Sequence, residues 1–597
     1  MTIAKSDSIR SILKRVYQLL NARERKRSTL LFLSILANSI VEILGLAVIV
    51  PVIGLVIQPE TIQTSATLRT LYEAVEPFGI NTPSRFLIAL CFVLIGAFLF
   101  KALFGLAVNL YQTRFSFTVA HRLSGQMWSH HFSQSLERMR GTDSGRVLAE
   151  INTWPVNFAT FFMVGGLMIL TEVSVISLIA TGLLFYNSVV FLSIAGLLAI
   201  GAFIIRKVTK RRLGVYSATR QKVEPRTNTL ITNAVRGFLE VITFRASDAV
   251  RNAYLKDRWT ILRIVSNTSV LALSPSKLYE VLAVIAVAGS IIIALLQGTP
   301  EASFLQLLSF MAISAYRIMP SMSRLNSVII RMREQQYVLE TMEVGAQTNA
   351  DNSASNQSPI NSVANSQNQN IDIELNDITL SYEALQKPVI EHLQHTFSAA
   401  GLHAIVGPSG SGKSTLVSSI LGLHKAKNGH VQMRVATNDV QILGADIDLH
   451  SWILNVGYLS QQPFLFAGSV RDNLTLRVPG ATVNEDLVNR LIQQLSLSEC
   501  LGSSPLEFQL QEGGSNLSGG QQQRLALLRA LQIQRPVLIL DEATSALDHA
   551  LRDVVFELLR KRADDGCNII LVTHDKALAS KCDDVLDLGA QTKASPS

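Results

Sequence analysis

The sequence predicts an all-α membrane domain of six helices followed by an α/β P-loop nucleotide-binding domain, on three observations. Six apolar segments in the first 340 residues are each long enough to cross a bilayer. A glycine-rich loop, Gly407-Pro-Ser-Gly-Ser-Gly-Lys-Ser-Thr415, lies between a short apolar strand, Leu402 to Val406, and a helix, Leu416 to Leu421. A further apolar run, Val537-Leu-Ile-Leu540, ends in two carboxylates, Asp541 and Glu542.

The apolar segments run from about Ser28 to Ile57, Phe86 to Val108, Phe158 to Phe185, Val189 to Ile205, Ser269 to Leu296 and Leu305 to Ile330. Helices of soluble proteins rarely stay apolar on every face for such lengths, and a chain 48% hydrophobic but only 16% charged fits a protein part membrane, part aqueous. Loop charges set the orientation. Arg23, Arg25, Lys26 and Arg27 precede the first span; Arg206, Lys207, Lys210, Arg211 and Arg212 follow the fourth; Arg324, Arg331 and Arg333 lie at the end of the sixth. Those ends, both termini and the C-terminal domain are therefore expected in the cytoplasm. The first outer loop carries Glu60, Glu73 and Glu76 against Arg69, and the other two have no Lys or Arg. The net charge of +8 thus reflects an inside-positive membrane protein, and no nucleic-acid partner is expected.

Residues 1–27 read as an amphipathic interfacial helix with Ile9, Ile12, Leu13, Val16 and Leu20 on one side, leading into the first span without a cleavable signal. The membrane domain occupies 28–340. Its two long connections, Gln112 to Asn157 and Arg206 to Thr268, are too polar and too helix-patterned for simple loops. Residues 341–370, rich in Asn, Ser and Gln from Gly345 on, read as a flexible linker, 371–590 as the nucleotide-binding domain and 591–597 as a tail. Cys91, Cys500, Cys567 and Cys582 are too scattered for a metal site and are expected as free thiols.

The glycine-rich loop carries phosphate chemistry. Gly407, Gly410 and Gly412 allow tight turns whose N–H groups converge, and the loop opens a helix whose N-terminus adds a positive dipole end. Pro408, Ser409, Ser411 and Thr415 complete the cradle; Lys413 brings a charge to the β- and γ-phosphates of ATP, and the Ser414 hydroxyl is placed to ligate Mg²⁺. Asp541 is the expected outer-sphere holder of Mg²⁺ and Glu542 the group that orients or deprotonates the attacking water. His574, after the apolar run Ile569-Ile-Leu-Val572, reads as a γ-phosphate sensor.

Leu517-Ser-Gly-Gly-Gln521 resembles the signature motif of ATP-binding cassette (ABC) transporters, and other elements of that family fall in order around it. The resemblance covers the whole cassette. It implies that Tyr382 stacks on adenine, that Gln461 in Leu459-Ser-Gln-Gln-Pro463 touches Mg²⁺ and the membrane domain, that Ser545-Ala546-Leu547-Asp548 is the D-loop, and that His574 is the switch histidine. It also implies that Leu517, Ser518, Gly519, Gly520 and Gln521 act on ATP held by the opposite subunit, so that sites are composite and the chain works as a homodimer. Glu512-Gly-Gly514 resembles the exporter X-loop, with Gly513 where an arginine is often found. The two long connections resemble intracellular helical extensions, with Gly141 to Arg146 and Val235 to Val241 resting on the cassettes. Six spans fused to one cassette resemble a half-exporter of a bacterial inner membrane.

Charges within the spans are the clue to cargo: Glu42, Lys101, Glu172, Lys277, Glu280 and Arg317. Two readings are open. They form ion pairs that gate packing states, as Lys277 and Glu280 can on one helix face, or Lys101 and Arg317 meet an anionic headgroup. Glu42 to Pro51, Pro275 to Glu280 and Ala315 to Ser321 are similar to segments of bacterial flippases of lipid-linked oligosaccharides, which implies an amphipathic, lipid-linked substrate. Export of a peptide, lipid or hydrophobic drug is the alternative; the roughly 27 residues before the first span leave no room for the peptidase-like domain that many peptide exporters carry. An ATP-gated, non-transporting ATPase is the remote one.

Overall fold

The computed structural model describes residues 8–47, 70, 72, 82–133, 139, 141–186, 188–297, 301–355, 370–382, 387–435, 440–443, 445, 449–478, 480–544 and 547–591. The chain divides into two compact units, the first ending at Ala354.

The first unit is all helix. It comprises α1 (Ile9–Gln18), α2 (Ala22–Ala47), α3 (Pro83–Phe132), α4 (Gly165–Tyr186), α5 (Ser188–Arg236), α6 (Ser247–Gln297), α7 (Glu301–Glu334) and α8 (Gln336–Ser355). Two π-helical stretches, Ala149–Thr153 and Phe158–Val164, lead into α4. Among the described residues three helical runs are long and apolar enough to cross a membrane, Ala22–Gly45, Ser84–Phe132 and Ser144–Gly182. The other expected spans fall on α5, α6 and α7, parts of which lie outside the described side chains.

Two boundaries differ from expectation. The interfacial helix stops at Gln18, and the basic run Arg23 to Arg27 forms the first turns of α2. A reciprocal cap causes this: the Glu24 N–H donates to Asn21 Oδ1 at 2.8 Å and the Asn21 N–H to Glu24 Oε2 at 2.9 Å, which starts a new helix. The expected linker is helical through Ser355, because Val338, Leu339 and Met342 are fully buried and Gly345 lies against Met127, anchoring α8 in the core. Residues 356–369 lie outside the description.

The core of this unit joins Ile12 and Val16 of α1 and Leu20 just beyond it to Phe115, Val119, Leu123 and Met127 of α3, Phe162 and Leu167 next to and on α4, and Tyr337 of α8. The i, i+4 spacing on α3 gives one continuous apolar face. Among the described residues, both long connections are mainly helical. Asp143 caps Ser144–Leu148 and accepts from Thr229 of α5. Gly145 is required there, since a Cβ would lie 2.6 Å from the Pro225 carbonyl oxygen.

The second unit has strands β1 (Ile371–Leu380), β2 (Ile390–Phe397), β3 (Leu402–Val406), β4 (Asn428–Val435), β5 (Val440–Ile442), β6 (Val456–Leu459), β7 (Gly468–Ser469), β8 (Gln509–Leu510), β9 (Val537–Asp541), β10 (Asn568–Val572) and β11 (Asp584–Asp587). An antiparallel sheet, β2-β1-β4-β5, packs with a parallel one of order β11-β3-β10-β9-β6. The parallel strands bury both faces alternately. Leu538, Leu540, Ile569 and Leu571 face one cluster and Val537, Ile539, Ile570 and Val572 the other, which is why each reads as an unbroken apolar run. Asn568, fully buried, ties the sheets by donating to the carbonyls of Ile371 at 3.0 Å and Phe397 at 2.9 Å.

Asn568→Ala removes two buried hydrogen bonds that tie the sheets and is expected to cost about 1–3 kcal/mol. The denaturant midpoint of the full-length protein in detergent measures this; an unchanged midpoint contradicts it.

Candidate functional site

The strand order sets the site. β3, β10 and β9 are parallel neighbours, so their C-terminal ends bring the phosphate loop, His574 and the carboxylates to one edge of the sheet. The loop from Gly407 leads from β3 into α9 (Lys413–Ile420), with Gly410 at φ 83° and Gly412, the residue before the helix, at φ 95°. A Cβ on Gly412 would also lie 2.8 Å from Val389, so that position has neither the conformation nor the room for a side chain. The Lys413 ammonium donates to the carbonyls of Gly407 at 2.8 Å and Pro408 at 3.0 Å, which holds a buried charge inside the loop's curve. The buried Ser411 hydroxyl has no partner among the described residues.

Tyr382 is placed beside this helix, its hydroxyl 3.0 Å from Thr415 Oγ1 and its ring 4.9 Å from that of His424. The ring expected to stack on adenine thus has an imidazole beside it that the sequence reading did not single out.

Glu542 is the centre of the opposite side. Its Oε1 lies 2.6 Å from His574 Nε2, and its Oε2 accepts from Gln461 Nε2 at 2.6 Å. The backbone is fixed as firmly: Glu542 sits at φ 51°, its N–H donates to the Val572 carbonyl at 3.0 Å, and its own carbonyl accepts from Gln523 Nε2 at 2.9 Å. Gln461 therefore bonds the carboxylate expected to activate water, a contact the sequence reading did not include. Gln523 is the other omission. Its signal was a buried glutamine in the polar run directly after the signature motif.

Asp541 is buried, and burial together with Glu542 pushes its carboxyl above the usual carboxylate range, against the pull of Lys413 and His574. The Ser414 hydroxyl, the Asp541 carboxylate and the Gln461 amide offer the hard oxygen donors that suit Mg²⁺. The glycine cradle, the buried Lys413 and the unpartnered Ser411 hydroxyl suit the phosphates of ATP.

The signature forms the start of α10 (Gly519–Gln532). Leu517 is buried, while Ser518 caps the helix in a reciprocal pair with Gln521: the Ser518 N–H donates to Gln521 Oε1 at 2.8 Å and Ser518 Oγ accepts from the Gln521 N–H at 3.3 Å. Ser518 and Gly519 are exposed, with open space where a Gly519 side chain would be. Among the described residues no hydrogen bond of Ser518, Gly519 or Gly520 reaches the phosphate loop of the same chain. In the D-loop, Leu547 is buried and Asp548 caps α11 (His549–Asp564); Ser545 and Ala546 lie outside the described residues. Gly513 takes φ 65°, a left-handed conformation that favours glycine.

Two ion pairs join charges of the expected spans across helices. Arg317 meets Glu42 at 2.5 Å and Arg324 meets Glu172 at 2.5 Å, while Lys277 and Glu280 pair at 3.0 Å on the exposed face of α6. These contacts are of the ion-pair kind, one of the two readings left open above, and they give Arg324, expected only as a charge at the end of the sixth span, a partner as well. Lys101 has its ammonium 5.1 Å from the Phe98 ring centre. The four cysteines are free thiols.

A helical unit with membrane-length apolar helices, followed by a P-loop unit bearing a signature motif, defines the class: the second unit is an ABC transporter ATPase domain. Residues 390–545 match the family model described as ABC transporter. The chain is 34% identical over 221 residues to the lactococcin-G-processing and transport ATP-binding protein of Lactococcus lactis subsp. lactis, covering 37% of this chain and 30% of that one. It is 36% identical over 218 residues to the mycobactin import ATP-binding/permease protein of Mycolicibacterium smegmatis, covering 36% of each. The chain thus spans about a third of the length of these curated relatives. The solved structure of a bacterial Atm1-family ABC exporter with ATP bound matches with a TM-score of 0.72 at 17% identity, over 96% of this chain and 95% of that one, which shows a shared fold.

Gln523→Ala frees the Glu542 carbonyl and is expected to lower kcat for ATP about tenfold with KM little changed; an unaltered kcat refutes the positioning role. A second expectation concerns pH. A raised native-state value means the fold binds the Asp541 proton better than the unfolded chain does. Its contribution is therefore full at acid pH and is lost as pH rises from the ordinary carboxylate value through the raised one. In metal-free buffer Asp541→Asn should gain Tm relative to the native sequence across that window, and lose the stabilisation by Mg-ATP. A parallel pH dependence of the two proteins contradicts this.

Proposed function

We propose that two copies of this chain form an ATP-driven exporter in a bacterial inner membrane, with two equivalent sites, each built from the phosphate loop of one chain and the signature of the other. The observation that carries it is Glu542 clamped between Gln461 and His574 in a chain whose signature helix presents its capped N-terminus to solvent. A helix N-terminus with Ser518 and Gly519 exposed is made to receive an anion, and among the described residues none of its bonds reaches its own phosphate loop.

In this mechanism the loop amides and Lys413 hold the β- and γ-phosphates, and Tyr382 holds the base. Ser414, Asp541 and Gln461 would hold Mg²⁺, which offsets the negative charge of the phosphates. Glu542 accepts the proton of the attacking water at its carboxylate. His574 and Gln461 aim that carboxylate, and both are placed to let go of it when the partner's Ser518 and Gly520 close over the γ-phosphate. Closure pulls the helical unit from inward- to outward-facing, and hydrolysis resets it.

For the cargo the proposal is an amphipathic molecule entering from the bilayer, a lipid-linked oligosaccharide being the form that the segments around Glu42, Pro275 and Arg317 favour. With Arg317 neutralised by Glu42, Lys101 is the cation on which this form relies. Peptide or siderophore transport is the competing reading, supported by the names of the relatives above.

Glu542→Gln is expected to lower ATP hydrolysis by about 10²-fold or more while Mg-ATP still raises Tm, whereas Lys413→Ala loses both. Hydrolysis by Glu542→Gln at the native rate contradicts the proposal. In nanodiscs, stimulation of hydrolysis by a polyprenyl-pyrophosphate oligosaccharide fraction, lost in Lys101→Ala, is expected for the flippase form; no response to that fraction in the native protein favours peptide or drug export.

A further inference from the structure

We propose that the space beneath α1 is a binding site for an acyl chain of an anionic phospholipid. This rests on reading the helical unit as membrane-embedded. A cavity of about 330 Å³ opens there, with Leu13 and Val16 of α1, Phe32 of α2, Phe115 of α3 and Leu167 and Leu170 of α4 among its walls. Gly166 keeps its floor open: a Cβ at that position would stand 3.1 Å from Leu13 Cδ2.

The chemistry of the lining selects hydrocarbon. Its hydroxyls at Ser28 and Thr29 are already used, donating to the Arg25 carbonyl at 2.8 and 3.1 Å. Nothing else in the walls except the Tyr17 hydroxyl offers a polar side-chain group, so water has too few partners to settle there. Walls without facing atoms also forfeit dispersion contacts that a methylene chain would restore.

Charge selects the headgroup. Tyr17 lines the cavity and is half exposed, and the Arg25 guanidinium lies 5.3 Å from its ring centre. Arg23, Lys26 and Arg27 are exposed in the same two turns of α2. The acid among them, Glu24, is turned inward and neutralised by Arg122 at 2.8 Å. An apolar slot next to an excess of cations, under a helix of interfacial character, matches the two ends of a phospholipid with an anionic phosphate.

The test uses the full-length protein in nanodiscs of phosphatidylglycerol or phosphatidylcholine, each doped with its own lipid bearing a photoactivatable diazirine on the acyl chain. Peptides containing 13–20 and 162–170 should be labelled severalfold more in phosphatidylglycerol, and that labelling should disappear in the cavity-filling variants Gly166→Leu and Leu170→Trp. Labelling at the exposed residues Leu33, Phe92 and Val93 reports membrane embedding and correct folding, and should be the same in all three proteins. Equal cavity labelling in both lipids, or labelling that persists in both variants, overturns the proposal. So does cross-linking to a second copy from a photoreactive amino acid at position 170, which would mean that protein covers the cavity. Loss of labelling at Leu33, Phe92 and Val93 in the native sequence would instead sink the membrane reading, and this site with it.

Discussion

The Glu542 carboxylate is gripped on both oxygens, by His574 and Gln461, 2.6 Å away in each case. The rest of the ATP-binding unit is arranged to make that grip reproducible. The backbone of Glu542 takes a left-handed conformation that a non-glycine residue adopts only when its surroundings impose it, and the Val572 carbonyl and Gln523 side chain impose it here. Val572 is in turn fixed by the register that sets it beside Asp541 and Ile405. Buried apolar strands thus carry a positional demand through to one carboxylate. A carboxylate bonded on both sides is oriented, and it stays committed to its own chain until something draws His574 or Gln461 away.

Buried charge plays a comparable part in the helical unit. Glu42 with Arg317, Glu172 with Arg324 and Glu24 with Arg122 each join helices remote in sequence. His131 and Arg146 both reach Glu150, at 2.7 Å each. Removing one partner from such a pair strands a charge out of water, whereas the intact pair adds little net stability. Such contacts specify which helices meet more than they strengthen the fold. That property suits the change of packing that the proposed transport cycle requires.

Much of this was legible because it is local. Leu402–Val406, Val537–Leu540 and Ile569–Val572 announced parallel strands, since a strand buried on both faces cannot alternate with polar residues. The phosphate loop, the signature cap and the apolar side of α1 at Ile12 and Val16 depend on residues within a few positions of one another. What escaped was non-local or counter to composition. Nothing near Asn568 foretells its bonds to Ile371 and Phe397, nothing near Arg317 foretells Glu42, and the Gln461 to Glu542 bond joins two loops. The polar composition after Gly345 suggested a linker, yet Val338, Leu339 and Met342 upstream already commit the chain to helix through Ser355.

The central claim is that each site is shared between two chains, and complementation tests it most directly. Lys413→Ala chains and Ser518→Arg chains, carrying different tags, would be co-expressed and the mixed dimer isolated by sequential purification. Each chain alone is broken in one half of the site. If sites are composite, the mixed dimer joins one intact phosphate loop to one intact signature and recovers ATP hydrolysis well above either parent homodimer. A mixed dimer as inactive as its parents would show that loop and signature must lie on one chain, and the account would be wrong.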